Sequence, residues 1–163
     1  MRKIIALLLL FAASYVNAQV FKGKGDVKFQ VGATLQEHAA GIVSSVDFGF
    51  AENLSYGFSA SYLLNTTNIY GTPNFEDRID AKVRFNANIG NVLNINKKLD
   101  VYPGVDLGLK NFGAHLGARW FFTDGFGIYT EAGIPIAKYN PDAAGYEKLN
   151  NQFMLNFGAS FNL

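Results

Sequence analysis

The sequence predicts an all-β fold, an eight-stranded antiparallel up-and-down transmembrane β-barrel, on three observations. Apolar and polar residues alternate in eight successive runs, the glycines of these runs lie on the polar side, and the last run, FMLNFGASFNL, carries an unbroken apolar row to the final residue. Alternation with period two marks a strand whose faces meet different surroundings. A terminal strand ordinarily has little to pack against, so its apolar row needs a cover, and lipid can cover every run at once.

The first residues, MRKIIALLLLFAASYVNAQ, place Arg2 and Lys3 before an apolar run from Ile4 to Ala13 and then Val16-Asn17-Ala18, where small and medium side chains suit a signal peptidase. That run is shorter than the roughly 20 apolar residues of a helical span. Residues 1–18 are therefore expected to be a cleaved signal peptide, and residues 19–163 the barrel domain. The chain has 14 Lys and Arg against 13 Asp and Glu, which is not the charge of a nucleic-acid binder, and no Cys for disulfides or a thiolate metal site. No later segment has the length of a helical span without charges.

The first run alternates Val27, Phe29, Val31, Ala33 and Leu35 with Lys28, Gln30, Gly32 and Thr34; the second alternates Ile42, Val46, Phe48 and Phe50 with Val43, Ser45, Asp47 and Gly49. The third sets Leu54, Tyr56, Phe58, Ala60, Tyr62 and Leu64 against serines and Gly57, and the fourth sets Ile79 to Ile89 against Asp80, Lys82, Arg84, Asn86 and Asn88. The fifth, Val101 to Leu109, and the sixth, Phe112 to Phe122, are joined by Lys110-Asn111 and read as a hairpin. Thr123-Asp124-Gly125 leads into the seventh, Phe126 to Ile136, and the eighth ends the chain. Short links such as Ala51-Glu52-Asn53 contrast with long polar ones at Asn65 to Arg78 and Lys138 to Asn151, as in a barrel with turns on one rim and loops on the other, although Gly90 to Lys98 is long for a turn. Pro103 and Pro135 cannot donate to a ladder and predict bulges or strand ends.

Glycine weakens a strand, so its repeated use on the polar side needs a reason. A cramped interior supplies one, because the lumen of eight strands is only just filled by side chains and long residues there need small neighbours. The charges on that side, Lys28, Lys82, Arg84 and Arg119 against Asp47, Asp80, Asp100, Asp106 and Glu131, are expected to pair as a lumen ion network, since an enclosed charge without a partner is costly. Phe48, Phe50, Tyr56 and Phe58 bracket one turn and Trp120, Phe122 and Phe126 another, as an aromatic girdle at a membrane boundary would.

GAHLGARWFFTDGFGIYTEAG from Gly113 to Gly133, with the leader and the alternating last strand, resembles the small outer-membrane β-barrels of the OmpA, OmpX and OmpW type, in the porin-like superfamily. The resemblance implies the outer membrane of a Gram-negative-type bacterium, contact with its lipid and lipopolysaccharide, and recognition of the last strand by the barrel assembly machinery. Phe157, Phe161 and Leu163 match that assembly signal, with Leu163 where the family usually ends on an aromatic. It also implies that the chain ends at the barrel, without the peptidoglycan-binding domain of larger OmpA-type proteins.

No catalytic, cofactor or metal site is expected: His38 lies in a probable loop, and His115 faces the lumen with no serine two residues away to share its side. A lumen filled by side chains also argues against an open channel. The expected role is structural or adhesive, through loops where Tyr70, Phe75, Tyr139 and Tyr146 are the candidate contacts for a surface ligand. The rival reading is a secreted lipocalin-like barrel, with the apolar side lining a calyx for a small apolar ligand.

Overall fold

The computed structural model describes residues 20–67, 72–93 and 96–163; the leader and Tyr70 lie outside the described residues. Eight strands follow one another around a closed barrel: β1 (Val27–Gln36), β2 (Ala39–Gly49), β3 (Leu54–Thr66), β4 (Ile79–Ala87), β5 (Leu99–Gly108), β6 (Asn111–Phe121), β7 (Phe126–Lys138) and β8 (Met154–Asn162). All neighbours are antiparallel, and β8 closes on β1 from Gln36↔Met154 to Lys28↔Asn162. Closure pairs the last strand on both sides, which removes the exposed edge that would otherwise invite aggregation. The all-β eight-stranded barrel read from the alternation is the fold observed.

The start of β1 and the end of β8 share one rim with the turns 50–53 and 122–125 and the connection 88–98, which holds a helical turn at Gly90–Leu93; this is called the terminal rim below. The opposite rim, called the loop rim below, carries the two-residue turns Glu37-His38 and Leu109-Lys110 and the connections 67–78 and 139–153. His38 adopts φ of 63°, the left-handed backbone that lets so short a turn reverse the chain. β3 and β7 extend to Thr66 and Lys138, so the long connections begin later than the sequence suggested.

The two strand prolines, Pro103 and Pro135, interrupt pairing. The β4–β5 register stops at Asn86↔Gly104, beside Pro103, and the β6–β7 register slips where Gly113 faces Pro135, passing over Ile136. In each place the absent N–H removes a rung.

The barrel is inside out relative to a water-soluble domain. Among the described residues, twenty-one buried side chains are polar or charged and nine are hydrophobic. The predicted apolar row faces outward: Trp120 is 38% exposed and Phe157 45%, whereas Arg84 is 3% exposed and Glu131 6%. This is the reverse of a calyx, whose apolar residues must line the interior.

Candidate functional site: the charged lumen and its two closures

The inward charges sort along the barrel axis by their place in each strand. Nearest the termini, Lys28 pairs with Asp26 and donates to Asn162 Oδ1 at 2.9 Å. Its ammonium lies 5.8 Å from the Phe21 ring centroid and 5.6 Å from that of Phe121, so two aromatic faces share the charge. Phe21 is buried, and Asn91 Nδ2 donates to its carbonyl at 2.9 Å, so the segment before β1 closes this end.

At mid-barrel, Arg119 lies 3.3 Å from Asp100 and 3.4 Å from Asp47 and donates to Asn88 Oδ1 at 2.8 Å. Arg84 lies 3.2 Å from the other oxygen of Asp47 and 2.5 Å from Glu131, so Asp47 bridges the two guanidinium groups. Tyr102 lies between them, with the Arg119 guanidinium 4.0 Å from its ring centroid and Gln30 Nε2 donating to its hydroxyl at 3.2 Å. A Cβ on Gly117 would overlap that ring, and one on Gly104 would overlap His115. The inward glycines at these two positions therefore make room for large neighbours.

Toward the loop rim, His115 Nδ1 lies 3.0 Å from Asp106 and its Nε2 lies 2.7 Å from Asn86 Oδ1 and 3.2 Å from Arg84. Lys82 donates to Asp106 at 2.8 Å and stands 3.9 Å from Asp80. A cavity of about 20 Å³ remains, lined by Thr34, Ser59, Ser61, Asp80, Lys82 and Asn156 among others. That is room for about one water-sized occupant. Asp47, Asp80, Lys82, Arg84, Asp100, Asp106, Arg119 and Glu131 are thus brought into one chain of contacts, joined by Tyr102 and His115, while Lys28 and Asp26 form a separate pair nearer the termini.

The loop rim is closed by amides. Asn150 accepts from Gln36 Nε2 at 3.2 Å, donates its own N–H to Gln36 Oε1 at 2.8 Å, and donates its side-chain amide to the Asp77 carbonyl at 3.2 Å. Asn111 Nδ2 donates to Asn150 O and Asn151 Oδ1, and Lys110 Nζ donates to the carbonyls of Asp77 and Leu149. All four connections of this rim therefore meet in one clasp, over the buried Leu149, Asn150 and Asn151. Burial lowers the Lys110 ammonium from its ordinary value, against the pull of nearby Asp77, Asp80, Glu76 and Glu147.

The loop aromatics have separate surroundings. Tyr146 donates its hydroxyl to Thr67 O and Tyr139 to Gly108 O, both at 3.2 Å, and the 67% exposed Phe75 lies 5.7 Å from the Tyr62 ring. On the outer face near the terminal rim, Phe48, Phe50 and Tyr56 form one cluster, at centroid separations of 5.6 and 6.1 Å, and Phe122, Phe126 and Phe161 another, at 6.2 and 5.5 Å. Phe58 and Trp120 face outward beside them. Phe157 pairs across from Ala33 and Thr130, and Leu163 donates its N–H to Val27 O. His38 is in the exposed turn, beside Glu37, and among the described residues no three His, Cys, Asp or Glu side chains converge as a metal site.

Asp26, Tyr102 and the clasp amides were missed as site residues by the sequence reading. Asp26 stands two residues before Lys28, the spacing that shares a strand face, and could have been found; nothing in the sequence marks which loop amides meet.

Residues 11–163 match the family described as "Family of unknown function (DUF6646)". No curated protein matches the chain. A solved structure described as "De novo design of transmembrane beta-barrels" superposes with a TM-score of 0.57 at 10% identity, covering 87% of this chain and 98% of that one. At such an identity the likeness is one of fold.

Proposed function

We propose that this chain, which belongs to the DUF6646 family of unknown function, is an integral outer-membrane β-barrel of the OmpA, OmpX and OmpW kind. Its role is non-enzymatic, structural or surface-binding, with lipid and lipopolysaccharide around it and its long loops outward. The observation that carries this reading is the outward face. Side chains such as Ile42, Phe58, Phe85, Leu107, Leu116, Ile128 and Phe157 are each between two-fifths and three-fifths exposed, on every side of a barrel whose charges are inside. Continuous apolar surface of this extent demands an apolar solvent. Strands of 9 to 13 residues, tilted and rising about 3.3 Å per residue, match the hydrocarbon thickness of a bilayer. The aromatic clusters supply a girdle at the terminal rim, and Phe157, Phe161 and Leu163 serve as the signal for assembly. Similarity of fold to a protein described as a transmembrane β-barrel adds support.

Surface binding is assigned to Phe75 and Tyr139, the two more exposed of the described loop aromatics. The test is fractionation of a Gram-negative host expressing the chain with its leader. The expected result is recovery with outer membranes, release by detergent alone, and protection of the strands from protease added to intact cells. Recovery as a soluble periplasmic protein overturns the membrane reading. Photo-crosslinkers placed at positions 75 and 139 test the surface role, which fails if neither captures any envelope component.

A further inference from the structure

The lumen is short of positive charge. Its enclosed carboxylates are Asp26, Asp47, Asp80, Asp100, Asp106 and Glu131, against the cations Lys28, Lys82, Arg84 and Arg119. Six against four leaves an excess of two negative charges among these side chains. Lys110 stands at the rim, donating to two carbonyls and shared among Glu76, Asp77, Asp80 and Glu147. An enclosed charge in excess is costly unless something offsets it.

The hydrogen bonds show the same shortage. Among the described residues, the enclosed side-chain atoms that have no hydrogen-bond partner include four acceptors, Asp47 Oδ1, Asp80 Oδ2, Asp100 Oδ2 and Asn156 Oδ1, but one obligate donor, Arg119 Nε. Asp47 Oδ1 and Asp100 Oδ2 have guanidinium nitrogens at 3.2 and 3.3 Å, which offset their charge. Asp80 Oδ2 lies 3.9 Å from the Lys82 ammonium, beyond hydrogen-bond reach, because that ammonium is committed to Asp106 at 2.8 Å, and the Lys110 ammonium acts on it only from the rim. Asp80 is 1% exposed and Asn156 5%, and both line the 20 Å³ cavity together with the hydroxyl side chains of Thr34, Ser59 and Ser61.

We infer that this cavity is a binding site for one dehydrated monovalent cation of about sodium's size. Asp80 Oδ2 supplies the charge, Asn156 Oδ1 and the hydroxyls supply neutral oxygen ligands, and the ion offsets one of the excess negative charges. A divalent ion fits poorly, since the other two carboxylates that line the cavity, Asp106 and Glu131, are already paired with Lys82 and Arg84, whose charges stand beside the site. The cavity has room for one water-sized sphere, which excludes bulky organic cations.

The experiment is urea unfolding of the full barrel folded in detergent micelles, read by Trp120 fluorescence in sodium, potassium or choline chloride at one ionic strength, so that screening is constant. Folding in micelles does not depend on where the protein resides in the cell, so this test stands or falls apart from the membrane reading. Sodium is expected to stabilise the barrel saturably, with a folded-to-unfolded ratio about tenfold higher at ten times its dissociation constant. Choline is expected to do nothing. Asp80→Asn should abolish the sodium effect and be at least as stable as the parent in choline. Should that variant not fold, the Ser59→Ala/Ser61→Ala pair keeps the charge and should raise the half-saturating sodium concentration severalfold. Identical curves in sodium and choline overturn the site, because protons or water then meet the shortage. A sodium effect undiminished in Asp80→Asn, or a half-saturation unmoved by the serine pair, overturns its placement.

Discussion

The middle of the lumen and the clasp at the loop rim are both buried and both polar, yet they are built from opposite materials. At mid-barrel the partners are ions carried by strands: Arg119 faces Asp100 across one strand pair, and Arg84 on β4 reaches Asp47 on β2 and Glu131 on β7. At the rim the partners are neutral amides at strand ends and in connections: Gln36 at the end of β1 and Asn111 at the start of β6 meet Asp77 and Asn150, which the two long connections bring over them. The difference divides the work. Ions fixed by strands make the barrel intolerant of single losses, whereas amides fixed by loops shape the rim without deciding whether the barrel forms.

The largest expected effect is therefore at Arg119. Replacing it by Leu leaves Asp100 and one oxygen of Asp47 without their guanidinium, removes the cation over Tyr102, and should destabilise the barrel by about 3–5 kcal/mol. Urea unfolding in micelles measures it, and adding Asp100→Asn to the variant should recover part of the loss. A cost below 1 kcal/mol would show that the mid-lumen ions are no more demanding than the rim amides, and the comparison would collapse.

Gly117 sharpens the same contrast by shape rather than charge. Its added methyl would occupy the place of the Tyr102 ring, so Gly117→Ala should cost about 1–3 kcal/mol. Gly125, in the turn 122–125, has nothing within 4 Å of an added Cβ, but its substitution tests the terminal rim under identical conditions and should cost little.

The same contrast explains what could be read from the amino acids alone. Side-chain period two assigns a face to every strand residue, so the outward Trp120 and Phe157 and the inward Arg84 and Glu131 follow from counting along the chain. It does not give register, so it could gather the inward charges into one set without saying that Asp47 bridges Arg84 and Arg119. Gly117 was legible as a cramped position, but not Tyr102 as its occupant, because the ring reaches it from the neighbouring strand. Asn150 was illegible altogether: it lies on a connection without periodicity, and its partners are 114, 73 and 39 residues away in sequence.

Asn150 is the next test in size. It has φ of 61°, which Asn and Gly tolerate better than other residues, and its side chain makes two of the clasp bonds. Asn150→Gly keeps the backbone and loses the bonds, at about 1–2 kcal/mol. Asn150→Ala adds strain and should cost more than Asn150→Gly. Both are expected to leave the strands folded while protease cuts the connection 139–153 faster than in the parent. Equal cutting in parent and variants would mean that the clasp contributes nothing to loop order.

Lys110 should give the smallest effect, and its sign separates burial from charge pairing. Its ammonium is half-buried under the clasp, and burial lowers its pKa from the ordinary 10.5 although four carboxylates surround it. Between the lowered value and 10.5 the folded chain holds fewer protons than the unfolded one, so this lysine's contribution to stability rises with pH across that window. Lys110→Gln keeps an N–H donor but removes the titration. Urea midpoints of parent and variant, taken from pH 8 to 10.5, should shift relative to each other in the parent's favour as the pH rises. The neutral amine still donates to the Asp77 and Leu149 carbonyls, so the clasp survives the loss of charge. A shift in the variant's favour would mean that Glu76, Asp77, Asp80 and Glu147 hold the ammonium more firmly than burial disfavours it, and the rim would then be an ionic structure like the lumen beneath it.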